Sequence, residues 1–332
     1  MWYQAVKLAC AFKLPEIYTV LRSSIIKPHI IILLYHRIYS VNDDLAITPI
    51  KVKEFEAHLE YLISNGYDLL SMEELILRVR KHNLPKRVAI ITFDDAYRDV
   101  YLYAYPILKR HGFPATMFLT TGNVNTSELF WWDKVSYAIT HTSIPILDLG
   151  KLGTFSLKTK LSREKAKQMI IKKLKMLPNF QREALVRDLL KLTKVVIPES
   201  IRSQLILSWS DVKKMANNNI TFGAHTVTHP FLTRISIKRA EWEIIQSKTD
   251  IEEKIGTDVL TFSYPHGDYN ASIIKILKKY KFKCAVTTSL RLIKLRGDPY
   301  QLGRLMPTND FCMFRILTSG VYIDFKKLRI AK

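Results

Sequence analysis

Six short runs of apolar and β-branched residues punctuate the chain, separated by longer stretches in which apolar positions return every three or four residues. The runs are HIIILLY at His29–Tyr35, RVAIITF at Arg87–Phe93, ATMFL at Ala115–Leu119, ITFGA at Ile220–Ala224, LTFSY at Leu260–Tyr264 and KCAVT at Lys283–Thr287. Runs of this length and composition predict strands of a mostly parallel, two-sided sheet. The intervening periodicity predicts helices over Val52–Ser64, Met72–Lys81, Asp99–Arg110, Asp211–Ala216, Ile237–Ile255 and Ala271–Lys279. Ser71 stands three residues before Glu74, a capping-box spacing, and Ser210 is expected to cap the helix opening at Asp211. Such alternation is the pattern of α/β folds, closed as a barrel or open as a sheet.

The alternation breaks between about Thr126 and Leu207, where two basic amphipathic segments, Arg163–Leu177 and Gln181–Leu192, flank Pro178. This stretch reads as a helical insertion in a main domain spanning 29–320, with an N-terminal helical segment at 1–28 and a tail at 321–332. Near the start, Trp2, Val6, Ala9, Phe12 and Lys13 have partial helical spacing, which suits a helix at a membrane interface or one packed on the main domain. Lys7, Lys13 and Glu16 interrupt the apolar character, so neither a signal peptide nor a membrane span is expected here.

Composition narrows the setting. The chain has 332 residues, 48% hydrophobic and 24% charged, a balance that fills a core and excludes a disordered chain. The net charge of +21 is concentrated: twelve Lys or Arg lie between Lys158 and Lys194, against Glu164, Glu183 and Asp188 alone. A solvated helical face explains this, as does attraction to an anionic lipid surface or a phosphate-bearing substrate; no nucleic-acid-binding motif accompanies the charge. Cys10, Cys284 and Cys312 lie far apart with no CxxC pair, which fits a reducing compartment. The expected place is cytoplasmic, with peripheral contact at the inner face of the cell membrane as its extension.

Polar residues follow the apolar runs directly: Tyr35-His36, Asp94-Asp95, His225 to His229 and Pro265-His266. In parallel α/β folds the carboxyl ends of strands share one face, where such groups converge. Two adjacent carboxylates at a buried strand end repel unless they share a cation or a proton, the plainer reading being a helix cap. In GAHTVTHP two imidazoles stand four apart in a segment that Pro230 keeps from continuing as a helix, and no glutamate follows His225. Taken alone the pair is equally a surface coincidence. Together the two elements offer two neutral nitrogens and a carboxylate, a set suited to a divalent transition metal, with one carboxylate left to act as base on a water acidified by the cation. That division of labour describes hydrolysis of a carbonyl compound.

Thr92-Phe93-Asp94-Asp95, His225-Thr226-Val227-Thr228-His229 and Phe262-Ser263-Tyr264-Pro265-His266-Gly267-Asp268-Tyr269 resemble the successive motifs of the polysaccharide deacetylases. LLYHRI at Leu33–Ile38 is similar to the opening strand of the subgroup that de-N-acetylates exopolysaccharide glucosamine. The resemblance covers about Ile30–Val124 and Ser208–Pro307. It implies a distorted (β/α)7 barrel of the NodB-homology type, interrupted by the insertion, and hydrolysis of N-acetyl groups on a polysaccharide, an oligosaccharide or a lipid-linked saccharide. It implies Asp94 as base, Asp95, His225 and His229 as ligands of one divalent metal, first zinc, with Co, Ni or Fe as alternatives, and His36 as acid. The backbone amide of His266 matches the family's oxyanion donor, and Tyr264 is a candidate substrate contact. The chain also departs from the pattern. Ser263 stands near the place of the usual arginine ahead of the third motif, Leu302–Pro307 lacks the late histidine of many members, and Ala96 replaces the usual glycine. Arg304 could orient Asp94 in place of the missing arginine, although a surface position is its plainer reading. A deformylase or cyclic-amide hydrolase on the same scaffold, and a non-catalytic glycan- or membrane-binding homologue, are the alternatives.

Overall fold

The structure, a computed structural model, describes residues 2–25, 28–40, 49–293 and 296–324. In chain order its elements begin with α1 (Trp2–Ala11), α2 (Leu14–Ile25), β1 (His29–Tyr35), β2 (Ile38–Tyr39), β3 (Ile50–Lys51), α3 (Val52–Ser64), β4 (Asp68–Leu70), α4 (Met72–Arg80) and β5 (Arg87–Phe93). A π turn (Val100–Ala104) leads into α5 (Tyr105–His111), followed by β6 (Ala115–Leu119), α6 (Trp131–His141), β7 (Ile146–Asp148), β8 (Thr154–Ser156), α7 (Lys160–Lys175), α8 (Asn179–Thr193) and α9 (Glu199–Leu205). The chain then forms α10 (Trp209–Ala216), β9 (Ile220–Ala224), α11 (Ile237–Ile255), β10 (Thr261–Ser263), α12 (Ala271–Lys279), β11 (Cys284–Val286) and α13 (Phe311–Ser319).

These elements make two compact units: one holds Met1–Ser40, Thr48–Val124 and Leu207–Lys332, and the other centres on Asn125–Ile206. In the first, parallel strands run β1-β5-β6-β9-β10-β11, with β4 also paired to β5. The sheet curls until its ends meet through Leu302–Leu305. Leu302 N–H donates to Ala285 O at 3.0 Å, and Leu305 N–H donates to Ile32 O at 2.8 Å. That irregular stave joins β11 to β1 through bridges at Val286 and Leu33. The result is the distorted α/β barrel expected of the motifs. Its interior is filled by Ile30, Ile32, Val88, Ile90, Phe118 and Val286, as small barrels require. The second unit holds α6 to α9 and the antiparallel pair β7–β8, and Pro178 separates α7 from α8 at the place expected.

Several boundaries differ from the sequence expectation for local reasons. The cap of α10 is Ser208, not Ser210. Ser208 Oγ accepts from Asp211 N–H at 3.1 Å and Asp211 Oδ2 accepts from Ser208 N–H at 3.1 Å, a reciprocal box that starts the helix two residues early. The helix expected over Asp99–Arg110 opens as a π turn, because Pro106 brings no N–H to the turn before it. Ser71 caps α4 as expected, accepting from Glu74 N–H at 3.0 Å, while the Glu74 carboxylate pairs with Arg78. The N-terminal segment is two helices, broken where Lys13 takes a φ of +53°. It packs on the main unit, with Val6 and Cys10 buried against Ile316. The strand β4, the pair β7–β8 and the helices α6, α9 and α13 were not anticipated. Among the described residues no helix is long and apolar enough to cross a membrane. Part of the expected tail, 325–332, lies outside the described residues.

Candidate active site

Four strand ends and the closing stave bring the motif residues together. β5 delivers Asp94 and Asp95, and Asp94 N–H is held at 3.0 Å by the carbonyl of Tyr35, the last residue of β1. His36 is therefore the next residue on the neighbouring strand end, and it is half-buried. β9 delivers His225, whose N–H donates to Leu119 O at 3.0 Å. The backbone then doubles back so that His229 returns to the same side. That reversal uses left-handed conformations at Thr226 (φ +68°) and His229 (φ +55°), while Asp95 (φ +76°), Ala96 (φ +64°) and His266 (φ +58°) adopt it nearby. Non-glycine residues enter this region at a cost, and its concentration here marks a site held by its surroundings. Ala96 meets the conformation that the usual glycine would adopt freely.

The surroundings are identifiable. Glu243, wholly buried on α11, accepts from Val227 N–H at 2.9 Å, Thr228 N–H at 2.8 Å and Thr228 Oγ1 at 2.6 Å. Thr226 Oγ1 accepts from His229 N–H at 3.0 Å. Gly122 N–H donates to Val227 O at 2.9 Å, an approach that only glycine permits, since a Cβ there would lie 2.6 Å from that oxygen.

Asp95, His225 and His229 each offer one ligand atom, and these three atoms lie within 4.8 Å of one another, all buried. His225 Nε2 and His229 Nε2 are each 3.3 Å from Asp95 Oδ1. The other ring nitrogen of His225, Nδ1, donates to Ser263 O at 2.7 Å, which fixes the tautomer and turns the Nε2 lone pair toward the carboxylate. Among the described residues Asp95 Oδ1 accepts no hydrogen bond although it is buried. Lone pairs gathered on a buried oxygen without a proton between them repel, and a cation at their centre reverses that. The donor set of two imidazoles and one carboxylate fits a divalent transition metal with open positions.

Asp94 lies beside this set, its Oδ2 3.8 Å from His225 Nε2, and is held by partners of its own. Arg304 Nη1 donates to Asp94 Oδ1 at 2.7 Å, Arg304 Nη2 donates to Oδ2 at 2.6 Å, and Ser263 Oγ donates to Oδ2 at 3.0 Å. Burial by itself would raise the Asp94 carboxyl, but the Arg304 guanidinium, helped by His225 and His36, outweighs it and holds the carboxyl well below the usual carboxylate range. His225 is opposed in sign: burial would lower it, and the Asp94 and Asp95 charges raise it.

Arg304 corrects the surface reading. It is 1% exposed, with Nε donating to Thr287 O at 3.1 Å, because the closing stave turns it into the barrel. It therefore touches Asp94 and cannot reach a substrate. Tyr264 is also corrected: it is fully buried, and its hydroxyl donates to Tyr300 O at 2.9 Å, which makes it a wall of the core. His266 stays near the site, stacked on Phe231 at 3.9 Å and edge-on to His229 at 4.5 Å between ring centroids. The sequence reading missed Glu243, Ser263 as a partner of Asp94, and the buried pair of Arg37 Nε with Asp99 Oδ2 at 2.6 Å, which anchors the residue after His36. One signal was present: Glu243 is a charged residue on the stripe Ala240, Ile244, Ser247 and Ile251 that α11 buries.

Known proteins share these features. The family model described as polysaccharide deacetylase matches residues 81–285. YxkH of Bacillus subtilis, which carries a provisional polysaccharide deacetylase name, is 25% identical over 275 residues, 82% of this chain and 70% of that protein. The poly-beta-1,6-N-acetyl-D-glucosamine N-deacetylase of Staphylococcus aureus is 32% identical over 98 residues, a match that spans 30% of this chain and 34% of that enzyme. Two solved structures have the same fold: the Streptococcus pyogenes deacetylase PplD (TM-score 0.60, 21% identity, 88% of this chain and 98% of that one) and IcaB from Ammonifex degensii (TM-score 0.59, 18% identity, 89% and 98%). Because the matched segment exceeds half of the sequence and carries both Asp94-Asp95 and the His225–His229 loop, the chain belongs to the polysaccharide deacetylase family.

Proposed function

We propose that this protein is a metal-dependent N-deacetylase that hydrolyses the acetamide of an N-acetylated saccharide, polymeric, oligomeric or lipid-linked, to acetate and a free amine. The observation that carries the reading is the gathering of Asp95, His225 and His229 within 4.8 Å, beside a separately held Asp94. The name of the staphylococcal relative, an N-acetyl-D-glucosamine polymer deacetylase, supports the substrate class.

Asp95, His225 and His229 would hold the ion, with zinc the first expectation and Co, Ni or Fe compatible with the same donors. When bound, it supplies Lewis acidity to a water and to the acetamide carbonyl. Asp94 takes the proton of the attacking water; its lowered pKa keeps it ionised throughout the working range, and Arg304 with Ser263 fixes its direction. His36, across the β1–β5 seam from Asp94, gives a proton to the departing amine. The amide of His266 is the candidate donor to the developing oxyanion.

The test is acetate release from β-1,6-linked N-acetylglucosamine oligosaccharides and a lipid-linked N-acetylated sugar, run beside formylated and cyclic-amide substrates. Acetate release that needs added divalent metal and vanishes in Asp94→Asn is the expected result. Turnover confined to formyl or cyclic amides would transfer the same machinery to a different C–N hydrolase. Full activity in His36→Ala would move the acid to another group, His266 first.

A further inference from the structure

The second helix is amphipathic the wrong way round. On α2 the residues turned inward are Pro15, Thr19 and Ser23, whereas Leu14, Ile17, Val20, Leu21 and Ile25 are between 48% and 84% exposed. Leu8 of α1 and Phe12 in the turn after it extend the same exposed apolar character, at 60% and 66%. Single apolar residues on a surface need no explanation, but seven within eighteen consecutive positions, those of α2 at helical spacing, do. The orientation is not slack. Glu16 accepts two bonds from Arg315, at 2.6 and 2.8 Å; Asp324 accepts from Arg22 at 2.8 Å and from Tyr18 at 2.9 Å. Polar ties to α13 and the residues after it therefore fix the helix with its apolar side outward, against the hydrophobic effect within the chain.

We propose that α1 and α2 form a docking surface for an anionic lipid bilayer, lying in the headgroup layer with this apolar side down. Charge selects the occupant. Lys7 is exposed on α1 and Lys13 in the turn that joins it to α2, and the one acid of this segment, Glu16, is committed to Arg315. A second copy seated by two-fold symmetry would set these cations against themselves, whereas an anionic bilayer matches both the apolar side and the charge. Helices of 10 and 12 residues are too short to span and long enough to lie flat. The surface is independent of the catalytic reading, and it narrows the expectation of lipid contact, which covers both the basic insertion and the N-terminal segment, to the N-terminal helices.

The experiment is co-sedimentation of the full chain with vesicles of phosphatidylcholine alone or mixed with phosphatidylglycerol. Binding to the mixed vesicles should weaken from 50 to 150 mM salt and be far lower on phosphatidylcholine alone. Ile17→Glu with Leu21→Glu, both at exposed positions that leave the fold intact by circular dichroism, should cut the partition coefficient at least about tenfold. Lys7→Glu with Lys13→Glu should lower it and flatten its salt dependence. Reversing Lys165, Lys172 and Lys175 on α7 should have the smaller effect. Unchanged binding in the Ile17/Leu21 variant, a larger loss from the α7 variant, or equal binding to both kinds of vesicle would overturn the proposal. So would a dimer in light scattering that this double variant converts to monomer, since a second copy would then be the occupant.

Discussion

At the scale of single residues, the site depends on groups that hold other groups. Asp94 is wholly enclosed with Arg304, so removing one partner strands a buried charge while removing both does not. Arg304→Met is expected to lower unfolding free energy by about 3–5 kcal/mol, and the double variant Asp94→Asn, Arg304→Met to recover much of that loss; urea unfolding of the four proteins checks the cycle. Glu243 acts one step further out. Glu243→Gln keeps the size of the side chain but replaces one accepting oxygen of the carboxylate that holds Val227, Thr228 and Arg239. Its expected effect is a loss of about 10–100-fold in metal affinity, read by competition with a chromophoric chelator, and Glu243→Asp should rescue less than the parent carboxylate supplies. Wild-type affinity in Glu243→Gln would show that the loop keeps its shape without it. The sequence offers Arg304 as a group that could orient Asp94 but not its burial, and its motifs do not reach Glu243, because the closing stave and a helix face bring these two residues to the site.

At the scale of elements, β1 and α3 contain histidines that the fold keeps neutral. Burial lowers both His29 and His58 to about 4, from an ordinary value of 6.5. His29 Nε2 donates to Thr318 O at 2.9 Å and its Nδ1 accepts from Arg22 at 3.0 Å, so a second proton would break one bond and face a guanidinium. His58 Nδ1 meets the Tyr35 hydroxyl at 3.1 Å and its ring stacks on Phe314 at 3.8 Å. The folded value lies below the unfolded one, so the unfolded chain binds more protons between pH 6.5 and 4. Stability is therefore full above about 6.5 and declines as pH falls through 4. Each histidine should remove about 2–3 kcal/mol by pH 4.5. Denaturant midpoints at pH 7 and 4.5 measure the decline, and His58→Gln should shrink it; an unchanged slope in that variant would mean that His58 titrates normally. The strands were readable in advance because each is apolar on both faces, and Val52–Ser64, Ile237–Ile255 and Ala271–Lys279 were readable because their apolar stripes are long. The short strands, the π turn and the outward apolar side of α2 were not, since Pro106 and the polar ties of α2 override periodicity.

At the scale of the molecule, folding and ion binding are expected to be linked, because the three ligand atoms converge only when β5 and β9 stand two strands apart in one sheet. Saturating zinc at a hundred times its dissociation constant should add about 2.7 kcal/mol to the unfolding free energy. Thermal scans with and without chelator check this, and the shift should vanish in His229→Ala; an equal shift in both proteins would place the ion elsewhere. The sequence by itself determined the alternation of strands and helices, the insertion, and the residues Asp94, Asp95, His225 and His229, because buried parallel strands and the polar residues at their ends leave a local signature. Only the tertiary structure decided that Arg304 is buried against Asp94, that Tyr264 is a wall, that Glu243 holds the histidine loop, and that α2 turns its apolar side outward. Each of these depends on which surfaces meet across long sequence separations, and a contact between distant segments leaves no period in either of them.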